Sequence, residues 1–211
     1  MNGSDFASAF AEATDRIYGV VVGIVKSNKL DAQGQIEIRL PRLTAAEIGH
    51  AARVATLMAG DQRGTLFLPE EGDEVLVVFE SGDISKPYVI GALWNGKDKP
   101  PETNSDGKNN LRLIKSRSGN QVRLDDTSGA EKIEIIDNTG KNKITIDTAA
   151  NTITLESEKD VVLKAPKGKI TLEAQSVEIQ SQAETAVHAK TTLNVEADAT
   201  LTVKGQTVNI N

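Results

Sequence analysis

Short runs of alternating apolar and polar residues, separated by turn-forming residues, make up much of the first half of the chain. The runs are 17–25, 34–40, 53–57, 73–80 and 87–94. Alternation with a period of two predicts β-strands that bury one face. Between the runs, segments such as Asp31 to Gly34 and Gly60-Asp61 predict tight turns. Five short strands in so short a stretch predict a small Greek-key barrel of the OB type over residues 17–95.

A polar segment separates this barrel from the rest of the chain. Residues 96–110 are rich in turn-forming residues and contain Pro100-Pro101. Such a composition predicts a linker rather than a strand or a helix.

After the linker, apolar residues recur in short β-branched segments at a regular interval. The first apolar residues of successive segments, mostly seven to nine positions apart, are Ile133, Ile144, Ile153, Val161, Ile170, Val177, Leu193, Leu201 and Val208. Between Val177 and Leu193 only a weak repeat is present, around Val187 and Ala189. A period near eight residues with about two apolar positions is too sparse for an isolated sheet and too regular for disorder.

Such a repeat needs neighbours that cover its apolar side chains. Three identical chains wound together would place these side chains on a common axis and leave no free sheet edge. The sequence therefore predicts an all-β protein whose residues 111–211 form a shaft, an intertwined trimeric β-helix or β-prism. About 13 strands per chain, spaced by about 4.8 Å, give a rod on the order of 60 Å long. A monomeric solenoid, such as a left-handed β-helix, remains the alternative.

Residues 1–16 show a helical periodicity instead. The apolar residues at helical spacing are Phe6, Phe10, Ala13 and Ile17, and Ser4 is a candidate N-cap. The predicted short helix either packs on its own domain or binds another protein, and both interpretations stay open. In the second, Phe6 and Phe10 are the contact residues.

Composition narrows the function further. The net charge of −6 at pH 7 argues against a nucleic-acid partner. No run of about 18 apolar residues occurs, and the N-terminus lacks the basic and apolar regions of a signal peptide, so we expect neither a membrane span nor signal-dependent export. All seven aromatic residues precede position 95, so the second half is not expected to close a conventional core within one chain.

The sequence contains no recognisable catalytic or cofactor-binding motif. The two histidines, His50 and His188, lie far apart, although three copies of His188 could meet on a threefold axis around a metal or an anion. The acidic pairs Asp125-Asp126 and Glu70-Glu71 fall in predicted turns or at strand starts, where solvated charges are common. We expect no enzyme activity, no cofactor and no metal site.

The barrel segment carries a specific family resemblance. Its recognisable parts are Arg63-Gly64, the run from Leu68-Pro69 through Gly72 to Val77, Gly82-Asp83, Pro87 and Val89-Ile90-Gly91. Residues 59–95 closely resemble the gp5-type OB domain of valine-glycine repeat (VgrG) proteins and phage baseplate spike proteins. Beyond the linker, Gly119-Asn120 and the segments 122–126 and 129–133 resemble the start of the spike shaft of that family.

The resemblance implies a homotrimer whose OB domains form a collar and whose β-prism projects forward to a small PAAR-type tip protein. The large hub domain of full-length VgrG proteins does not occur in this sequence, so we expect a separate, gp27-like hub protein that contacts residues 1–16. Val208, Ile210 and Asn211 are expected to contact the tip protein.

Taken together, these features predict a structural spike that mechanically punctures a target envelope, in a phage tail, a secretion apparatus or an extracellular particle. It would be assembled into a baseplate in the bacterial cytoplasm and would contact the target membrane only transiently. The alternative is a β-helical, tail-fibre-like carbohydrate-binding protein, which would need exposed aromatic residues or paired acids along the shaft. A nucleic-acid-binding OB domain is disfavoured, since residues 1–110 carry 11 Lys and Arg against 16 Asp and Glu.

Overall fold

The computed structural model describes residues 16–43 and 48–210. This part of the chain is all-β and contains no α-helix, and its single helical turn is a 3-10 turn at Glu80–Gly82. The chain divides into two units, Met1–Glu158 and Lys159–Asn211. The predicted N-terminal helix, with Phe6 and Phe10, lies outside the described residues.

Seven strands precede the polar segment, and five of them close into a barrel. The strands are β1 (Val21–Ser27), β2 (Gln35–Arg39), β3 (His50–Val54), β4 (Ala59–Gly60), β5 (Arg63–Gly64), β6 (Glu74–Phe79) and β7 (Pro87–Leu93). The order around the barrel is β1-β2-β3-β7-β6, with β6 pairing back to β1. β3 and β7 are parallel, and the other neighbours are antiparallel. The barrel is OB-like and confirms the predicted barrel.

Alternate residues of the strands fill the barrel. The core consists of Val25, Ile36, Ile38, Leu40, Ala52, Val75, Val77, Phe79 and Val89. Ile38 is completely buried, as are Val75 and Val77 on β6. Burying one such side chain stabilises the folded state by roughly 1.5–3 kcal/mol relative to leaving it exposed. The alternation in the sequence therefore reports the inward face of each strand.

The turn between β1 and β2 forms where the sequence predicts it. One carboxylate oxygen of Asp31 accepts hydrogen bonds from the backbone N–H groups of Gln33, at 2.8 Å, and Gln35, at 2.9 Å. Gly34 has a φ of 74°, in the left-handed region that glycine adopts without strain. This arrangement sets the residue at which β2 begins.

Two strands differ clearly from the prediction. β1 spans residues 21–27 rather than 17–25. β3 spans residues 50–54 rather than 53–57, because its one buried residue is Ala52, whose short side chain gives a weak apolar signal. The predicted turn at Gly60-Asp61 lies in a hairpin of two-residue strands, β4 and β5, which are too short for periodicity to reveal. In β5, a Cβ atom on Gly64 would lie 2.5 Å from the carbonyl oxygen of Met58, so the hairpin requires glycine there.

Five further strands form an antiparallel sheet in the first unit. They are β8 (Leu111–Lys115), β9 (Gln121–Asp125), β10 (Lys132–Ile136), β11 (Lys143–Asp147) and β12 (Thr152–Glu156), and they lie side by side in chain order. The repeat in the sequence predicts β10 to β12. It misses β8, where Arg112 occupies the position of a paired apolar residue, and β9, whose pair of Val122 and Leu124 was not recognised.

The second unit shows the repeat predicted from the sequence, but its described residues form no strands. Residues 157–210 form no strand within the single chain, so the strands predicted from Val161 onward are not formed there. Bends or turns nevertheless recur every seven to nine residues, at 158–159, 166–168, 175, 182–183, 190–191, 198–199 and 206. The backbone therefore shows the period that the sequence predicts.

Candidate functional site

One face of the β8–β12 sheet is apolar and open. Strand register aligns its side chains in two rows that cross the strands. One row contains Ile114, Val122, Ile135, Ile144 and Leu155, and the other contains Leu124, Ile133, Ile146 and Ile153. Each of these nine side chains is at least 40% exposed. We call this set the apolar face.

The opposite face of the same sheet is polar and more buried. Glu134, in the middle of β10, is 8% exposed. Its carboxylate oxygens lie 3.7 Å from a guanidinium nitrogen of Arg123 and 3.8 Å from the ammonium nitrogen of Lys132. An antiparallel sheet normally turns its apolar face to a core and its polar face to water. Here the charged side chains pack against one another, and the apolar face is exposed in the single chain.

Ion pairs and hydrogen bonds also occupy the periphery of the polar face. The Lys143 ammonium lies 2.8 Å from a carboxylate oxygen of Glu156, and this hydrogen bond raises the pKa of Lys143. Hydrogen bonds from Thr127 lower the pKa of Asp125. Because Lys143 and Glu156 are partly exposed, their pairing adds little net stability. These pairs therefore favour one pairing of the strands, but they add little to the free energy of unfolding.

The acidic pairs noted in the sequence are partly neutralised by arginines. Asp126 pairs with Arg112, and Glu70 lies 3.2 Å from a guanidinium nitrogen of Arg117. The side chains of Asp126 and Glu70 are 60% and 51% exposed. These are surface charges rather than a general acid and base held in a cleft.

Asparagine side chains connect successive turns along one edge of the sheet. The Asn120 side-chain oxygen accepts a hydrogen bond from the backbone N–H of Asn138 at 3.0 Å. The Asn142 side-chain oxygen accepts hydrogen bonds from the Ser157 hydroxyl, at 3.0 Å, and the Glu158 N–H, at 3.1 Å. Each turn therefore supplies an acceptor to the segment that lies next to it, which stacks the turns in a fixed order.

Asp137 stabilises one of these turns and gives it a predictable pH dependence. Its carboxylate accepts hydrogen bonds from the side chains of Asn142 and Thr139, each at 2.8 Å. Chiefly through the Asn142 amide, these bonds lower the pKa of Asp137 from 3.8 to about 2.

Because the folded-state pKa is depressed, the stabilising contribution of Asp137 is fully present above pH 3.8 and is lost as the pH falls towards 2. We expect Asp137→Asn to be less stable than the wild type at neutral pH, with a difference that closes as the pH falls from about 4 to about 2. Urea unfolding of both proteins across this range measures it. A difference that stays constant down to pH 2 would contradict the assignment.

The second unit carries apolar residues in register with its bends. Two residues after most bends, a pair of apolar residues begins, two positions apart: Val161 and Leu163, Ile170 and Leu172, Val177 and Ile179, Leu193 and Val195, Leu201 and Val203, and Val208 and Ile210. After the bend at 182–183, the equivalent positions are Thr185 and Val187. The backbone thus assigns the weak repeat to Thr185 and Val187 rather than to Val187 and Ala189. All of these side chains are exposed within the single chain.

The residues predicted to contact partners are only partly described. Val208 is 49% exposed and Ile210 is 91% exposed, and together they form one of the apolar pairs. Asn211, Phe6 and Phe10 lie outside the described residues. The contacts with a hub protein and a tip protein therefore stay predictions.

The described residues show no arrangement for metal chemistry. Within 16–43 and 48–210, no three histidine, cysteine, aspartate or glutamate side chains lie where they could hold a metal ion together. In the same ranges, no helix is both long and apolar enough to cross a membrane. His188 is exposed in the second unit, and His50 is partly buried at the start of β3.

Sequence reasoning missed the contribution of β8 and β9 to the apolar face. Ile114, Val122 and Leu124 lie on these strands. Val122 and Leu124 are two positions apart, as are the later pairs, and this spacing was the available signal. The repeat of paired apolar residues therefore begins on β9 rather than on β10.

Comparison with known proteins places the barrel in a family. Residues 21–94 match the type VI secretion system/phage-baseplate injector OB domain. These residues contain all seven strands of the barrel region, from β1 to β7. The match therefore rests on the same segment that the structure shows as a closed barrel.

Three of the similar curated proteins are named type VI secretion system spike proteins. VgrG2a of Pseudomonas aeruginosa is 36% identical over 81 residues, which are 36% of this chain and 10% of that protein. VgrG1a of the same organism is 30% identical over 90 residues, 39% of this chain and 14% of that protein. VgrG3 of Vibrio cholerae is 32% identical over 85 residues, 38% of this chain and 8% of that protein.

The similarity to these spike proteins is thus distant and partial, and the chain spans only 8 to 14% of the length of these three relatives. The barrel is the part for which fold, sequence motifs and family match agree. The chain contains, in residues 21–94, a gp5-type OB domain of the type VI secretion system/phage-baseplate injector family.

Proposed function

We propose that three copies of this chain form the puncturing spike of a contractile injection system, which pierces the target envelope mechanically and catalyses no reaction. The observation that supports this most strongly is the apolar face, nine aliphatic side chains that the single chain leaves at least 40% exposed. Soluble proteins rarely expose contiguous apolar surfaces of this kind unless the surface is an interface.

The proposed occupant of the apolar face is a second and a third copy of the chain. In the sheet, paired residues two positions apart occur on successive strands: Ile133 and Ile135, Ile144 and Ile146, Ile153 and Leu155. The second unit repeats the same spacing after its bends. A surface that repeats itself along the chain is best matched by identical copies, because one threefold operation then buries every pair in the same way.

The charges of the sheet support the same orientation. The ionic side chains of Arg123, Lys132 and Glu134 lie on the polar face. On the apolar side, Arg112 of the edge strand β8 lies opposite Leu124 and pairs with Asp126. If the apolar face is directed to a threefold axis, the network of Arg123, Lys132 and Glu134 is not buried against the other chains. The Arg112–Asp126 pair lies at the edge of the sheet, with both side chains more than half exposed. The reverse orientation would bury the charged network and leave nine aliphatic side chains in water.

Threefold burial also accounts for the second unit. Its segments have no strand partner in the same chain, and a sheet shared among three chains would supply one. Their exposed apolar pairs would then form the axial core of the shaft. Burial of each pair would contribute to holding the chains together, at roughly 25 cal/mol per Å² of apolar surface.

The family resemblance suggests partners at the two ends of the chain. We propose that residues 1–16, through Phe6 and Phe10, bind a separate hub protein, and that Val208, Ile210 and Asn211 bind a PAAR-type tip protein. Val208 and Ile210 are exposed aliphatic residues, which a tip protein would cover. The particle would assemble in the bacterial cytoplasm and meet the target membrane only on firing. Relatives named as spike proteins of type VI secretion systems support this class of machine.

Delivery by the parent particle tests the proposed function. A strain that lacks the gene is complemented with the wild-type chain, with Ile135→Asp on the apolar face, or with Thr154→Asp on the polar face of the edge strand β12. We expect delivery to the target cell to be lost with Ile135→Asp and kept with Thr154→Asp. Full delivery without the gene, or with Ile135→Asp, would contradict a puncturing spike.

A further inference from the structure

The first unit contains a cleft whose chemistry the spike function does not use. It has a volume of about 500 Å³, in the range typical of small-ligand sites. Its lining includes Trp94, Glu102, Asn109, Asn110, Asp125 and Thr127. Trp94 follows β7, the asparagines belong to the polar segment before β8, and Asp125 ends β9. Three separate parts of the unit therefore converge on one cleft.

Hydrogen bonds within the lining hold the polar segment in place. The Asn104 side-chain oxygen accepts a hydrogen bond from the Asn109 N–H at 2.7 Å. The Asn110 carbonyl accepts one from the Asp126 N–H at 2.9 Å, which attaches the segment to the end of β9. The cleft is thus formed before any ligand binds, which lowers the ordering cost of binding.

The Trp94 indole supplies an open apolar surface in a polar setting. It is 69% exposed, in a chain whose aromatic residues are few and otherwise lie before it. A flat aromatic surface next to hydrogen-bonding groups suits a ligand that has an apolar face and a polar edge. A pyranose ring is such a ligand, since its C–H groups form a flat surface and its hydroxyls project around it.

The charges of the lining limit the ligand further. Glu102, Asp106 and Asp125 contribute carboxylates, and among the residues that the structure describes no lysine, arginine or histidine lines the cleft. Hydrogen bonds from Thr127 lower the pKa of Asp125, which keeps its carboxylate ionised at neutral pH. Carboxylates repel phosphate, sulfate and uronate groups but accept hydrogen bonds from neutral hydroxyls.

We propose that this cleft binds a neutral pyranose oligosaccharide, with one sugar ring stacked on Trp94 and its hydroxyls donating to the carboxylates of the lining. The inference goes beyond mechanical puncture, because it gives the protein a means of contacting the saccharide layer of an envelope. It does not rest on the trimer or on the partners at either end of the chain.

The single tryptophan makes the first arm of the test direct. The full-length protein, in its native assembly, is titrated with cellotetraose and with the N-acetylglucosamine tetrasaccharide, and Trp94 emission is recorded. We expect a saturable change with at least one of them at millimolar concentrations or below, and none with the anionic tetragalacturonate. Emission that neither neutral probe changes, an equal response to tetragalacturonate, or an indole that acrylamide cannot quench would overturn the proposal.

The second arm uses calorimetry, so that Trp94 itself can be replaced. Trp94→Ala is expected to weaken binding of the active oligosaccharide by about tenfold or more, since stacking is lost. Asn109→Ala, which leaves the fluorophore in place, is expected to weaken it less. The matched control is Phe67→Ala, because Phe67 is also 69% exposed but lies outside the cleft. Affinity unchanged in both cleft variants, or lost equally in Phe67→Ala, would overturn the assignment.

Discussion

Replacement of Ile135 by aspartate is expected to convert the proposed trimer into monomers. Ile135 lies on the central strand β10, between Val122 and Ile144 in one row of the apolar face. In the proposed assembly, each substitution would place an unpaired carboxylate near the threefold axis, and three copies would lie close together. An unpaired buried charge costs several kcal/mol per ion, which exceeds the gain from burying one isoleucine. Light scattering of the purified variant measures the change in mass.

The matched control separates loss of assembly from damage to the strand. Thr154→Asp introduces the same charge on the edge strand β12, on the polar face. We expect this variant to keep the mass of the wild type. If both variants retain that mass, the apolar face is not the trimer interface. If both variants lose that mass, a new charge on either face destabilises the sheet, and the result does not assign the trimer interface to the apolar face.

Replacement of Ile38 by alanine is expected to produce the largest loss of stability in the barrel. Ile38 on β2 is 0% exposed and belongs to the barrel core. Truncating a fully buried isoleucine removes its transfer free energy and leaves a cavity, and together these typically cost about 2–5 kcal/mol. Urea unfolding at a fixed protein concentration, followed by the emission of Trp94 next to β7, measures the free energy of unfolding.

A graded control shows whether packing is the cause. Ile38→Val removes only one methylene group and is expected to cost about 0.5–1.5 kcal/mol. Leu57→Ala is a surface comparison, since Leu57 is 94% exposed, and it is expected to change the free energy of unfolding by less than about 0.5 kcal/mol. An Ile38→Ala loss no larger than that of Leu57→Ala would contradict the core described above.

The sequence predicts the barrel well because its strands alternate buried and exposed residues. Val75, Val77 and Phe79 repeat every second position on β6, and closure of the barrel gives each a fixed inward direction. Where the buried residue is small, as at Ala52, the periodicity weakens and the strand boundary is displaced. Hairpin strands of two residues, such as β4, are too short to show any period.

The sequence predicts that the apolar residues of the candidate interface repeat along the chain. It does not predict which of them lie side by side on one surface. The spacing of the apolar residues shows that something must cover Ile144 or Leu201, but it does not show which side chains form one row. Row membership depends on strand register, which sequence periodicity does not specify. The bend at 182–183 likewise reassigns the weak repeat to Thr185, whose polar side chain conceals its position in the sequence.

The cleft at Trp94 could not be recognised from the sequence. Trp94 and Asp125 are about thirty positions apart, and they line one cleft only because the polar segment between them is held against the end of β9. Asparagine and aspartate in that segment predict turns, and the turns are present, as at Asn104 with a φ of 46°. Asparagine and aspartate are common both in turns and in polar binding sites, so the composition of this segment does not show which role they have.

The mass of the purified full-length protein in solution tests the central claim most directly. Multi-angle light scattering is measured first in buffer and then after brief warming in detergent. The proposed spike predicts about three times the chain mass of 22.5 kDa, with a particle that resists dissociation. A monomer at 22.5 kDa in buffer would contradict the shared threefold core, and the apolar pairs would then need a cover from within the same chain.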